Sequence, residues 1–183
     1  MLLNKVKYLL TYRYSEIIHD LTMEFVKKYI DYKSRTKDQM EQAARSCKQN
    51  IVEGVGQSQT SKKGEIKLLG VAKASVEELQ FDYEDFLRQH KLEIYPKNHP
   101  KTTKFRQIAF ELSNLRNLSN LGNLIKKPEL PSDPSDAGNF LLTLCHQESF
   151  LLFKQIEAMK EKFLQEGGFT ENLYKQRSSI RRF

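Results

Sequence analysis

Few residues in this chain of 183 could do covalent or metal chemistry, and their spacing narrows the choice further. Glu16 and His19 stand three apart, which would put carboxylate and imidazole on one helix face. Di-iron bundles use two such Glu-x-x-His pairs plus a glutamate from each of two other helices. No second copy exists here, and His90, His99 and His146 lack ligand partners at helical spacing. A lone match reads as a solvated face, so neither metal nor cofactor is expected. The run GVGQSQTSKKGE over 54–65 lacks the Gly-Lys-Ser/Thr ending with which a P-loop holds phosphates. No nucleophile elbow or paired Cys/His site is visible. The expectation is a protein that is not an enzyme.

Charge offers a different chemistry. The formal net charge is +7 and the pI about 9.3, which permits a polyanionic partner without establishing one. Residues 27–37 place Lys27, Lys28, Lys33, Arg35 and Lys37 against Asp31 alone. Residues 88–106 place Arg88, Lys91, Lys97, Lys101, Lys104 and Arg106 against Glu93 alone. Tyr32 and Tyr95 lie nearby and could stack on bases. Lys62, Lys63 and Lys67 form a smaller group elsewhere. A plain reading competes, because cations favour helix C-termini and basic loops are ordinary surface.

Long amphipathic helices must position these groups. Apolar residues recur at alternating spacings of three and four, the period of packed helices. Tyr14, Ile18, Leu21, Phe25 and Tyr32 define a helix over about 13–33. Met40, Ala44, Cys47, Ile51 and Gly54 define one over 37–57, with Thr36 as its cap and Gln39 completing a capping box. Leu69, Ala72, Val76, Leu79, Tyr83 and Phe86 define one over 62–90, begun at Ser61. Leu142, Cys145, Ser149, Leu152, Ile156, Met159 and Phe163 define the last over 134–166, begun by Asp133-Pro134 and stopped at Gly167-Gly168. An insert over about 97–132 opens with a short helix from Pro100. Its LSNLRNLSNLGNL run repeats leucine every three residues, which no single straight helical stripe can hold, so a broken or bent helix is expected there. A basic tail over 169–183 contains Lys175, Arg177, Arg181 and Arg182, with one or two helical turns. The predicted fold is all-α: an antiparallel up-down four-helix bundle over 1–168 with a helical insert between the third and last long helices. In that topology the two basic segments share one end. Phe150, Leu151 and Phe153 widen the last helix's apolar face, which suggests burial against the insert or a second subunit.

Five polar residues interrupt the hairpin of the second and third helices: Arg45, Asn50, Glu53, Lys73 and Glu78. With the turn centred near residue 60, partners across it have numbers summing to about 120. Arg45 then falls level with Ser75 and within a turn of Glu78, Glu53 level with Lys67, and Asn50 opposite Gly70. A partly buried Arg45–Glu78 pair that fixes helix register is preferred to a functional site.

Hydrophobic residues make up 39% of the chain and charged residues 29%, the balance of a globular protein rather than a disordered or membrane one. No apolar run spans a bilayer, and the start MLLNKVKYLL has neither the apolar length nor the small-residue cleavage site of a signal peptide. A cytoplasmic location is expected, with Cys47 and Cys145 as reduced core residues.

Arg45-Ser46, Asn50-Ile51, Glu53-Gly54, Ala72-Lys73, Ser75 and Glu78 resemble the four-helix-bundle family encoded by intervening sequences in large-subunit ribosomal RNA genes. Relatives of that family include the accessory variability determinant of diversity-generating retroelements. The chain looks closer still to the four-helix-bundle suffix subgroup, through SRTKDQMEQAARSCKQNIVEG, EIKLLGVAKASVEEL, DYEDFLR and the FLQEGGF ending. The leucine-repeat segment departs from the pattern. The resemblance implies a small cytoplasmic bundle without recognised catalysis, homopentameric in structurally known relatives. The retroelement relatives bind nucleic acid and a reverse transcriptase through a basic surface. The leading expectation is therefore a non-enzymatic, self-associating bundle that binds RNA or DNA electrostatically, as an accessory to an enzyme such as a reverse transcriptase. The alternative is a protein–protein scaffold with no nucleic-acid role.

Overall fold

Short polar side chains and prolines begin most of the long helices, and the apolar seams decide how they pack. The computed structural model describes residues 5–180. The principal helices are α1 (Leu10–Tyr29), α2 (Arg35–Gln57), α3 (Lys62–Gln89), α4 (Pro100–Ser113), α5 (Pro134–Glu166) and α6 (Phe169–Ile180). No strand occurs among the described residues, only an isolated bridge between Leu118 and Leu124. None of their helices is long and apolar enough to cross a membrane.

Ser61 Oγ accepts from Gly64 N at 3.0 Å, and Asp133 Oδ1 accepts from Asp136 N at 2.9 Å, with Pro134 in the first turn. Gly167 ends α5 at φ +72°, a conformation that glycine adopts without a Cβ clash. The cap of α2 differs from expectation. Ser34, not Thr36, accepts the first amide, that of Thr36, at 3.2 Å. The chain leaves α1 after Tyr29 because Asp31 makes a tight turn, accepting from Lys33 N and Ser34 N at 2.9 Å each. Tyr32 consequently lies outside the helix and is 79% exposed instead of sitting on its seam.

The hairpin register is close to the expected one: Ser46 and Ser75 hydroxyls meet at 2.9 Å across α2 and α3. The close-approach glycine is different, however. Gly70 has open space where a Cβ would stand, whereas a Cβ added at Gly54 would lie 3.5 Å from the Glu65 carbonyl oxygen and 3.6 Å from Leu68 Cβ. A methyl group there makes ordinary contact, so Gly54→Ala is expected to stabilise the protein by up to about 1 kcal/mol through helix propensity. Gly138 behaves oppositely. Its added Cβ would lie 2.9 Å from Cδ2 of the fully buried Leu87, so Gly138→Ala should lower the thermal midpoint. Calorimetry of the two variants checks both signs.

Helix α3 packs on α2 and on α5, while α1 packs on α2 and α5 from the other side. Phe25 of α1 lies edge-on to Tyr83 and Phe86 of α3, with centroids 5.1 and 4.8 Å away. Thr22 donates to the Ile18 carbonyl at 2.7 Å and accepts from the buried Tyr83 hydroxyl at 2.8 Å. Helix α4 lies on α5 and α1, its Phe105 against Phe140. Arg13 is buried and donates to the Ser113 carbonyl at 2.5 Å and to the Tyr8 carbonyl, tying the end of α4 to α1.

The leucine repeat, expected as a broken or bent helix, breaks after Ser113 and does not resume as α-helix. A 3₁₀ turn over Leu115–Asn117 leads into a hairpin-like loop. Asn117 closes this loop, donating to the Leu112 and Lys126 carbonyls and accepting from Lys126 N. Asparagine side chains satisfy the backbone here and so remove the need for helix. The tail is more helical than expected, since α6 runs for 12 residues, none of them buried. Arg181 and Arg182 lie outside the described residues.

Candidate functional site

The polar cluster of the α2–α3 hairpin does not assemble as the register alone suggests. Arg45 and Glu78 are both exposed, line different grooves, and form no ion pair within 4 Å. The reason is rotational: Arg45 turns toward the α1 side with His19 and Met23, while Glu78 faces the groove with Ser46 and Gln42. Glu53 and Lys67 are exposed. Lys73 pairs instead with Glu77 one turn along α3, and Glu77 also accepts from Ser149 of α5 at 2.9 Å. Asn50 donates to the Ser46 carbonyl and hydroxyl; Ser46 contacts Ser75, which donates to the Val71 carbonyl at 3.0 Å. Short hydroxyls and one amide thus link the helices, where a long ion pair was expected.

The basic segments come close to one another. The α1–α2 turn and the end of α3 line one cleft of about 440 Å³, which includes Asp31, Asp82 and Asp85. Burial, then the neighbouring Glu78 and Asp85, push the Asp82 carboxyl up to about 6. The basic surface therefore has an acidic notch that sequence counting missed. Tyr29 of α1 donates to the Ser132 carbonyl just before α5 at 2.8 Å, and Lys101 in the first turn of α4 pairs with Asp136 in the first turn of α5.

The expected cations differ in availability. Lys37 pairs with Glu41 at 2.7 Å, Arg88 with Asp85 at 2.7 Å and Lys101 with Asp136 at 2.7 Å. Lys27, Lys28, Lys33, Arg35, Lys91, Lys97, Lys104 and Arg106 have no acidic partner within 4 Å among the described residues. All of these are exposed apart from the half-buried Arg106. Lys33 lies 5.5 Å over the exposed Tyr32 ring. Tyr95 is less available than Tyr32: its hydroxyl donates to Asp136 at 2.7 Å and its ring stacks on His99 at 4.3 Å.

The 90–99 segment is held rigidly. Asn139, buried in the second turn of α5, accepts from Tyr95 N at 2.7 Å and donates to the Glu93 and Ser135 carbonyls at 2.8 and 2.9 Å. Thr102 adds a bond to the Pro96 carbonyl at 3.1 Å.

No family model matches this chain. No curated protein and no solved structure matches it either.

Among the described residues, no three His, Cys, Asp or Glu side chains come together so as to hold a metal ion. Glu16 accepts from Tyr12 at 3.4 Å, and His19 contacts Lys48 at 3.2 Å. One group went unforeseen. Glu148 is fully buried, neither carboxyl oxygen has a hydrogen-bond partner, and burial holds its carboxyl well above the usual range. Cys47, Cys145 and Tyr14 are its titratable neighbours. The signal was present in the spacing 4, 3, 4 of Leu141, Cys145, Glu148 and Leu152, all buried.

Proposed function

We propose that this chain is a non-enzymatic, self-associating protein that binds RNA or DNA through the phosphate backbone. We take its helices as an antiparallel up-down four-helix bundle, with α4 and the following loop as the insert, of the ribosomal intervening-sequence family and near its suffix subgroup. The observation that carries the binding reading is the set of unpaired cations gathered from the α1–α2 turn, the 90–99 segment and α4. Unpaired surface lysines and arginines release condensed counterions when they meet phosphates, whatever the base sequence. A cytoplasmic setting and a role beside a nucleic-acid enzyme such as a reverse transcriptase follow from the family proposal. Self-association draws on the exposed Phe81, Phe110 and Phe153 rings, apolar surface that water disfavours; a pentamer is the family's form.

Fluorescence anisotropy with labelled RNA and DNA at two salt concentrations tests this. Affinity should fall steeply with salt. Reversing Lys33, Arg35 and Lys104 to glutamate should weaken binding about a hundredfold at low salt and flatten the salt dependence. Light scattering should give an unchanged subunit count for that variant. Binding that is absent at low salt, or indifferent to salt, refutes the reading and favours a protein–protein scaffold.

A further inference from the structure

A cleft of about 670 Å³ opens between the end of α3, the 90–99 segment, α4 and α5, within the basic surface. Its size suits a small organic group, since ligand sites commonly measure roughly 300–1,000 Å³. Its lining combines three features, with the Glu84 carboxylate and the His146 ring also on its walls. Ile94, Leu142 and Phe150 provide apolar surface; Phe150 and Ile94 remain 58% and 45% exposed, and the Lys154 ammonium lies 5.7 Å from the Phe150 ring centroid on one face. Lys97 and Arg106 supply positive charge with no acidic partner within 4 Å among the described residues. Gln147 lines the cleft too, and its amide Oε1 is buried without a hydrogen-bond partner.

A phosphate alone would use the cations and leave the apolar wall wet. An aliphatic ligand would cover that wall and leave the Gln147 amide unsatisfied. A nucleobase attached to its backbone uses all three: a π-face for the aromatic ring, a polar edge for the amide, and flanking phosphates for the cations. Bases in a duplex are stacked and paired, so only an unpaired one can enter.

We propose that this cleft receives one base of single-stranded RNA or DNA, with Phe150 as the stacking platform, Gln147 meeting the base edge and Lys97 and Arg106 holding adjacent phosphates. The inference rests on the polyanion reading above and adds to it a preference for unpaired strands. The wall is already set, because Asn139 and Thr102 fix the 90–99 segment before any strand arrives.

The test compares a short labelled single strand with a duplex of equal length, using the full chain. At high salt the single strand should keep the larger share of its affinity, because stacking is not screened. Phe150→Ala should weaken single-strand binding by about tenfold while leaving duplex binding and its salt slope unchanged. Phe150→Tyr, which keeps the ring, should restore it. Light scattering on Phe150→Ala shows whether subunit count changes. If it does, Ile94→Trp, which fills the cleft from the loop side, should reproduce the same selective loss. Equal binding of both strands with no effect of either variant overturns the cleft proposal and leaves backbone binding standing. Failure of both strands to bind at low salt overturns both.

Discussion

Glu148→Met is expected to raise the thermal midpoint, and to raise it more at pH 8 than at pH 5. The glutamate is fully buried with both oxygens unpartnered, so the folded protein keeps it protonated. In the unfolded chain the same carboxyl loses its proton near its ordinary value, about 4.3. Above that pH the folded state therefore holds one proton more than the unfolded state. Stability falls as pH rises, by about 1.4 kcal/mol per pH unit, until the folded group itself ionises. Methionine has similar bulk and neither cost. It should add roughly 1–3 kcal/mol at pH 5, from the removed unsatisfied group, and a growing increment above. Glu148→Gln separates the two contributions, because it removes the proton linkage while keeping a polar group without partners. A residual slope of the same sign will persist in both variants. Burial also pushes Glu65 up to about 7 and Asp82 up to about 6. Denaturation profiles of wild type and both variants that run parallel from pH 5 to 8 would exclude this account.

Asn139→Ala is expected to cost roughly 2–4 kcal/mol and to release the 90–99 segment from α5. The side chain makes three bonds to backbone groups, at Tyr95 N, Glu93 O and Ser135 O, and no nearby residue replaces it. Alanine leaves a part-buried amide and carbonyl without their partner, which is the costly way to lose a hydrogen bond. Hydrogen exchange at the Tyr95 amide is the direct readout and should accelerate well beyond that of α3 amides. An unchanged exchange rate with an unchanged melting curve would show that Asn139 is not the tether.

The seams of the long helices were legible because burial follows period. Met40, Ala44, Cys47, Ile51 and Gly54 are buried, as are Leu69, Ala72, Val76, Leu79, Tyr83 and Phe86. Helix ends chosen by Ser61 and Asp133 were legible for a related reason, since a cap acts on amides two or three residues away. Tyr32 misled because aromatic character continued the pattern past a turn that Asp31 makes locally. Arg45 and Glu78 misled because register fixes height along a helix but not rotation around it. Polar residues inside the core were harder. Nothing in their type distinguishes Glu148 or Asn139 from solvated neighbours, and only Glu148's place in the seam spacing hinted at its burial. The leucine repeat defeated a helical reading because its asparagines satisfy backbone groups that helix would otherwise have to satisfy. For the basic surface, sequence gave the cations but not their partners: Glu41, Asp85 and Asp136 each neutralise one, and that depends on the folded geometry.

The tether at Asn139 has a mechanical consequence. With the 90–99 segment locked, the backbone positions that carry Lys97, Lys104 and Arg106 are tied to one another, and adjustment on the protein side is left to the side chains. On the proposed nucleic-acid reading, matching that array is left to the polymer, and the cost of doing so depends on how easily its backbone bends. A compliant strand conforms cheaply and a stiff one does not. Discrimination would then operate on the flexibility of the polymer, with its sequence of letters entering only through the stiffness it confers.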